Sequence, residues 1–204
     1  MTLIEVIITL SILVVASSIF CQMLLAGRRM RQTNRENALT ADAARVVVER
    51  MHNAPFLNVY RDYNEDPKDD PLGNGTGPGS TFAVEGLEPV DGSPHGHVGR
   101  IYLPSRSVEV QADGGAGGGK LGAMGGGGAG ATVIEWHLRE DIEDDSLGLP
   151  RDLNGNNIVD EADHSSDYIL LPVRIRIEWR SGNATRRFEL TTQLCDFPLE
   201  EEGP

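Results

Sequence analysis

Residues 1–20 read MTLIEVIITLSILVVASSIF. Glu5 is the one charged side chain in this stretch, and the next charge is Arg28. Gln22 is the strongly polar residue between them. The run is about 26 residues long, enough to cross a hydrocarbon core. Glu5 then needs an explanation, because an unpaired carboxylate in an apolar medium is costly. A cleaved secretory signal fits poorly. No basic region precedes the run, the acid has the wrong sign, and an A-x-A-like cleavage site is hard to place ahead of GRRMR (27–31).

The helical pattern continues past the apolar run. Residues 28–53, RRMRQTNRENALTADAARVVVERMHN, contain no Pro or Gly. Met30, Leu39, Ala43, Val46, Val47 and Met51 recur near helical spacing, and Pro55 ends the pattern. The expectation is one helix of about 53 residues, about 80 Å long at 1.5 Å per residue. Residues 1–27 form its transmembrane or bundled half. Residues 28–54 form an amphipathic half that packs on a globular domain, 55–204.

TLIEV (2–6) followed by a long apolar run resembles the mature N-terminus of class III signal proteins, the type IV pilins and type II secretion pseudopilins. The likeness covers about 25 residues plus the order of long helix, then domain. It implies an α+β fold in which a long N-terminal helix is the spine of a small antiparallel β-sheet. It also implies a precursor whose short basic leader is removed by prepilin peptidase, leaving Met1 first with a methylated amine. Glu5 matches the family's acidic residue that pairs with a neighbour's N-terminal amine. The implied partners are other pilin-like subunits, in a homo- or hetero-oligomeric filament, and the pilus assembly machinery. The implied location is the inner membrane before assembly, then an extracytoplasmic filament at the cell surface or in the periplasm. The physics is consistent, since a carboxylate in lipid persists when paired. A removed basic leader also reconciles the orientation. Arg28, Arg29 and Arg31 follow the span, and alone they would hold the C-terminal domain in the cytoplasm.

After Pro55 the composition changes. NVYRDYNEDPKDDPLGNGTGPGSTF (58–82) reads as a long loop. GRIYLP (99–104), SVEVQA (107–112) and ATVIEWHLRE (131–140) read as strands, separated by a glycine-rich tract at 113–130. In YILLPVRIRIEWRSGNATRRFELTTQL (168–194), Val173, Ile175, Ile177 and Trp179 alternate with charged residues. SGNA (181–184) supplies a turn, and Phe188, Leu190, Thr192 and Leu194 form a second inward row. The expectation is a hairpin with one buried face, packed on the lower half of the helix.

DLNGNNIVDEAD (152–163) places Asp152, Asn154, Asn156, Asp160 and Asp163 at loop positions 1, 3, 5, 9 and 12. Ile158 offers a carbonyl at position 7, and Val159 is an apolar anchor at position 8. That spacing suits Ca²⁺, a hard cation taking six to eight oxygens, and it resembles EF-hand-like loops of the dockerin kind. Asn157 stands where Gly is usual, and flanking helices are not evident. The competing reading is an acidic surface turn. Upstream, EDIEDDS (140–146) reads as a solvated run, with a ligand for the loop as its other reading.

The remaining signals exclude more than they assign. A formal charge of −13 argues against nucleic acid as the main partner. Cys21 and Cys195 give no disulfide framework. Lys120 in the glycine tract is followed by Leu121, so GGGK is no phosphate loop. His95 and His97 read as polar surface. No nucleophile–base–acid set is visible, and the chain reads as a non-enzyme. Two functions follow from the sequence: a filament subunit, or a membrane-anchored extracytoplasmic binding domain that never polymerises.

Overall fold

A computed structural model of the chain describes residues 2–111 and 132–196. Met1 and the glycine-rich tract 113–130 lie outside the described residues. Helix α1 (Leu3–Asn53) is unbroken. Gly27 is its one glycine, and it ends at Ala54, whose extended backbone is the conformation Pro55 imposes on its predecessor.

Every residue from Thr2 to Gln32 is exposed, including Leu13, Phe20 and Met23. By length and composition this segment can cross a membrane. The lower half of α1 buries Glu36, Thr40, Ala44, Val47 and Met51, at steps of three or four. The packed stripe therefore differs from the apolar pattern of the sequence. Val47 and Met51 are buried as their spacing predicts, whereas Met30 and Val46 point outward and two of the five buried residues, Glu36 and Thr40, are polar.

A second difference follows Pro55. Residues 56–63 form helix α2 (Phe56–Tyr63), where the sequence reads as loop from 58. Val59, Tyr60 and Tyr63 lie on one side of α2 and are buried. Tyr168 fastens this corner: its hydroxyl donates to the Phe56 carbonyl at 2.5 Å and accepts the Tyr60 N–H at 3.3 Å. Tertiary burial of three large side chains outweighs the weak intrinsic helicity of so short a segment.

The strands, in chain order, are β1 (Thr81–Phe82), β2 (Glu88–Pro89), β3 (Gly99–Tyr102), β4 (Ser105–Gln111), β5 (Thr132–Leu138), β6 (Leu170–Ser181) and β7 (Ala184–Cys195). Among the described residues they form two antiparallel sheets rather than one. The larger is centred on β6, which pairs with β7 on one edge and with β3 and β2 on the other, while β1 extends β3. Strands β4 and β5 form the second sheet.

The β6–β7 hairpin turns at Gly182, whose φ of 62° suits a residue without Cβ. Its register sets Ile175 opposite Leu190 and Ile177 opposite Phe188, so both apolar rows share one face. Leu171, Val173, Ile175 and Ile177 are fully buried. Each such side chain contributes about 1.5–3 kcal/mol when buried. Phe188 and Leu190 are only partly covered because β7 is an edge strand. The chain is thus a mixed α+β protein whose sheet packs on the lower half of a long helix.

Candidate functional site

Among the described residues, two places carry candidate chemistry: the upper end of α1, and the long connection from β5 to β6.

Glu5 lies in the first turn of α1. Its Oε2 accepts the Thr2 backbone N–H at 3.4 Å, a long contact that only partly satisfies the carboxylate. Among the described residues Glu5 has no ion-pair partner. The next basic residue along the helix, Arg28, is about 35 Å away at 1.5 Å per residue. Any full counter-charge must therefore come from outside residues 2–27.

Residues 139–169 join β5 to β6 without a helix or a named strand. The isolated bridge Asp144–Leu149 is the ladder pairing described within them. Residues 152–158 turn tightly on their own side chains. Asp152 accepts the N–H groups of Gly155 and Asn157, each at 2.6 Å. Asn154 accepts Asn156 N–H at 3.1 Å, and Asn156 accepts Ile158 N–H at 2.7 Å. Asn157 takes φ 64°, which asparagine tolerates better than most residues. Burial pushes the Asp152 carboxyl up, but N–H groups of Asn157, Gly155, Asn156 and Asn154 outweigh it and hold the carboxyl below the usual range.

The second half of the expected ligand set points elsewhere. Asp160 accepts Ala162 N–H at 2.7 Å and faces His164 Nε2 at 3.1 Å. Asp163 accepts Leu138 N–H at 3.0 Å and Ser165 N–H at 3.1 Å, tying the loop to the end of β5. So Asp152, Asn154, Asn156 and Ile158 share one turn, while Asp160 and Asp163 serve other contacts. Val159 is 46% exposed and does not act as an anchor; Leu153 is the residue of this loop that enters the core.

Asp160 belongs to a different group. Its carboxylate, that of Glu140 and the His164 imidazole each offer an atom, all within 4.8 Å of one another. Glu140 is fully buried. Its Oε1 accepts Leu153 N–H at 2.6 Å and Asn154 N–H at 3.1 Å, which fixes the carboxylate plane. Its Oε2 lies 3.8 Å from His164 Nε2 and has no hydrogen-bond partner. On the other side of the ring, His164 Nδ1 lies 3.1 Å from Asp167 Oδ1. Burial pushes the imidazole down, and hydrogen bonds to Asp160 and Asp167 with the charge of Glu140 outweigh it, so its pKa is raised.

His164 and Asp167 carry no motif of their own, although His164 follows Asp160 by four residues and precedes Asp167 by three. Glu140 opens the run that reads as solvated. The structure buries that first acid alone and leaves the others half-buried or exposed. Comparison with protein-family models, with curated proteins and with solved structures finds no match to this chain.

Proposed function

We propose that the chain is a structural subunit of a type IV pilus-like or type II secretion pseudopilus filament, rather than an enzyme. One observation carries this reading: a 51-residue helix whose upper part is wholly exposed and apolar, interrupted by a single acid in its first turn. So large an unbroken apolar surface requires lipid or other helices around it. In a filament both needs are met. Apolar helices bundle, and Glu5 pairs with the N-terminal amine of a neighbour, setting register. The β-rich domain faces outward on the lower half of the helix. Before assembly the same surface lies in the inner membrane, and a prepilin peptidase and the assembly machinery act on the chain. The expected α+β spine-and-sheet arrangement supports this reading in its coarse form.

Ca²⁺ in the 152–158 turn is a second element of the proposal, held by Asp152, Asn154, Asn156 and the Ile158 carbonyl. It is supported by the repeated side-chain-to-backbone bonds that set alternate residues on one turn. The ion would stiffen the approach to β6.

The test is assembly of a Glu5→Val variant expressed with its native machinery. Loss of filaments with an unchanged domain melt supports the reading. Normal filament yield removes Glu5 from assembly and favours the alternative, a membrane-anchored extracytoplasmic binding domain.

A further inference from the structure

We propose that Glu140, Asp160 and His164 form a binding site for a divalent transition-metal ion, of the Zn²⁺ class, that fastens the β5–β6 connection. The site is separate from the Ca²⁺ turn in ligand type and does not depend on the filament reading.

Glu140 is the buried acid of the cluster. A carboxylate removed from water must be paired or hydrogen-bonded. Its Oε1 is satisfied by two backbone N–H groups, and the same two bonds prevent the carboxylate from rotating. Its Oε2 is left without a donor, fully buried and aimed at His164 Nε2. A cation seated between these atoms and Asp160 would satisfy it.

The spacing suits a small ion. A tetrahedral Zn²⁺ with ligand bonds of about 2.0–2.2 Å separates its ligand atoms by about 3.3–3.6 Å. The observed separations from His164 Nε2 are 3.1 Å to Asp160 and 3.8 Å to Glu140, which bracket that value. Asp167 supplies the outer support. With Nδ1–H donating to Asp167, Nε2 is the nitrogen left for a metal, the arrangement by which metal-ligating histidines are oriented. Asn154 Nδ2 donates to the other oxygen of Asp167 at 3.1 Å and holds that carboxylate in turn.

Ligand chemistry selects the metal. One imidazole and two carboxylates suit Zn²⁺ and its neighbours, whereas Ca²⁺ and Mg²⁺ take oxygen alone. Asp160 is partly exposed, so an ion enters from its side and keeps a water in the fourth position. The three ligands come from the start and the end of a connection that lacks regular structure. Long connections of this kind are uncommon in compact domains unless something holds them, and a metal contributes its binding free energy to that order.

The experiment is calorimetric titration of Zn²⁺ into the full chain in detergent, with millimolar Ca²⁺ present. One ion per chain with micromolar or tighter affinity is expected. Asp160→Asn, at a partly exposed position that should leave the fold intact, should weaken binding roughly tenfold or more, as should His164→Gln. Asp167→Asn should weaken it about 10- to 100-fold through ring orientation. No Zn²⁺ binding by the parent chain overturns the proposal, because an imidazolium bridging the carboxylates then suffices. Unchanged affinity in a folded Asp160→Asn chain also overturns it and places the ion elsewhere, for example at His95 and His97. Equal competition by Ca²⁺ contradicts the metal class.

Discussion

Trp179 Nε1 donates a hydrogen bond to Glu36 Oε2 at 3.1 Å, joining the end of β6 to the lower half of α1. Both residues are almost wholly buried, and Gln32 donates to the other carboxylate oxygen at 2.9 Å. The contact fixes the sheet along the helix and so sets where the domain sits on its spine. Trp179→Phe keeps much of the apolar bulk and removes the donor. It should destabilise the chain by about 1–3 kcal/mol, the cost of leaving a buried acceptor unsatisfied. Denaturant unfolding in detergent measures this.

The same carboxylate makes the helix–sheet contact sensitive to acid. Burial pushes the Glu36 carboxyl up, but hydrogen bonds from Trp179, Ser181 and Gln32 and the charge of Arg186 outweigh it, so its pKa is lowered. Asp141 is lowered too, by the Arg139 guanidinium that holds both its oxygens at 2.7 Å. A carboxyl depressed in the folded chain binds fewer protons there than when unfolded, so stability rises with pH. These contributions are complete above the ordinary carboxylate values of about 4 and are lost as pH falls through the lower folded ones. The melting temperature should therefore fall below about pH 4, and Glu36→Gln should flatten that dependence.

Gly155 holds φ 80°, and a Cβ there would meet Ile169 Cδ1 at 2.7 Å. Gly155→Ala combines left-handed strain with a contact that Ile169 must move to relieve. A cost of about 1–2 kcal/mol is expected from the backbone alone. Ile169→Ala in the same chain should recover part of the loss, as a double-mutant cycle would show.

Calcium should act on the 152–158 turn and not on Glu5. Adding EGTA to the Ca²⁺-loaded chain should lower its melting temperature by a few degrees, and Asp152→Ala should abolish the difference. An unchanged midpoint in the parent chain would assign the turn to its own hydrogen bonds.

The long helix was legible because it rests on local signals: one apolar run, no internal proline, and Pro55 as a stop. The β6–β7 hairpin was legible for the same reason, since period-two alternation over Val173–Trp179 specifies a half-buried strand. The packed stripe of α1 was legible in part: Val47 and Met51 are buried as their spacing predicts, but Glu36 and Thr40, which lie outside that apolar pattern, are buried too. No local signal pairs Glu36 with Trp179, 143 residues along the chain. Helix α2 escaped notice because eight residues among turn formers have little pattern, and burial decides them. Within the candidate site, spacing marked out Asp152, Asn154, Asn156, Ile158, Asp160 and Asp163 as one set; the first four share a turn, while Asp160 faces His164 and Asp163 accepts the Leu138 N–H. Glu140 and His164 lie 24 residues apart in the sequence, and only tertiary structure brings them together.

Whether the upper half of α1 is a polymerisation element is decided by electron cryomicroscopy of the assembled native material at side-chain resolution. Bundled α1 helices are expected, with the Glu5 carboxylate within about 4 Å of another subunit's N-terminal nitrogen, an ion-pair distance. Helices dispersed singly in lipid, with Glu5 remote from every neighbouring chain, would contradict that role.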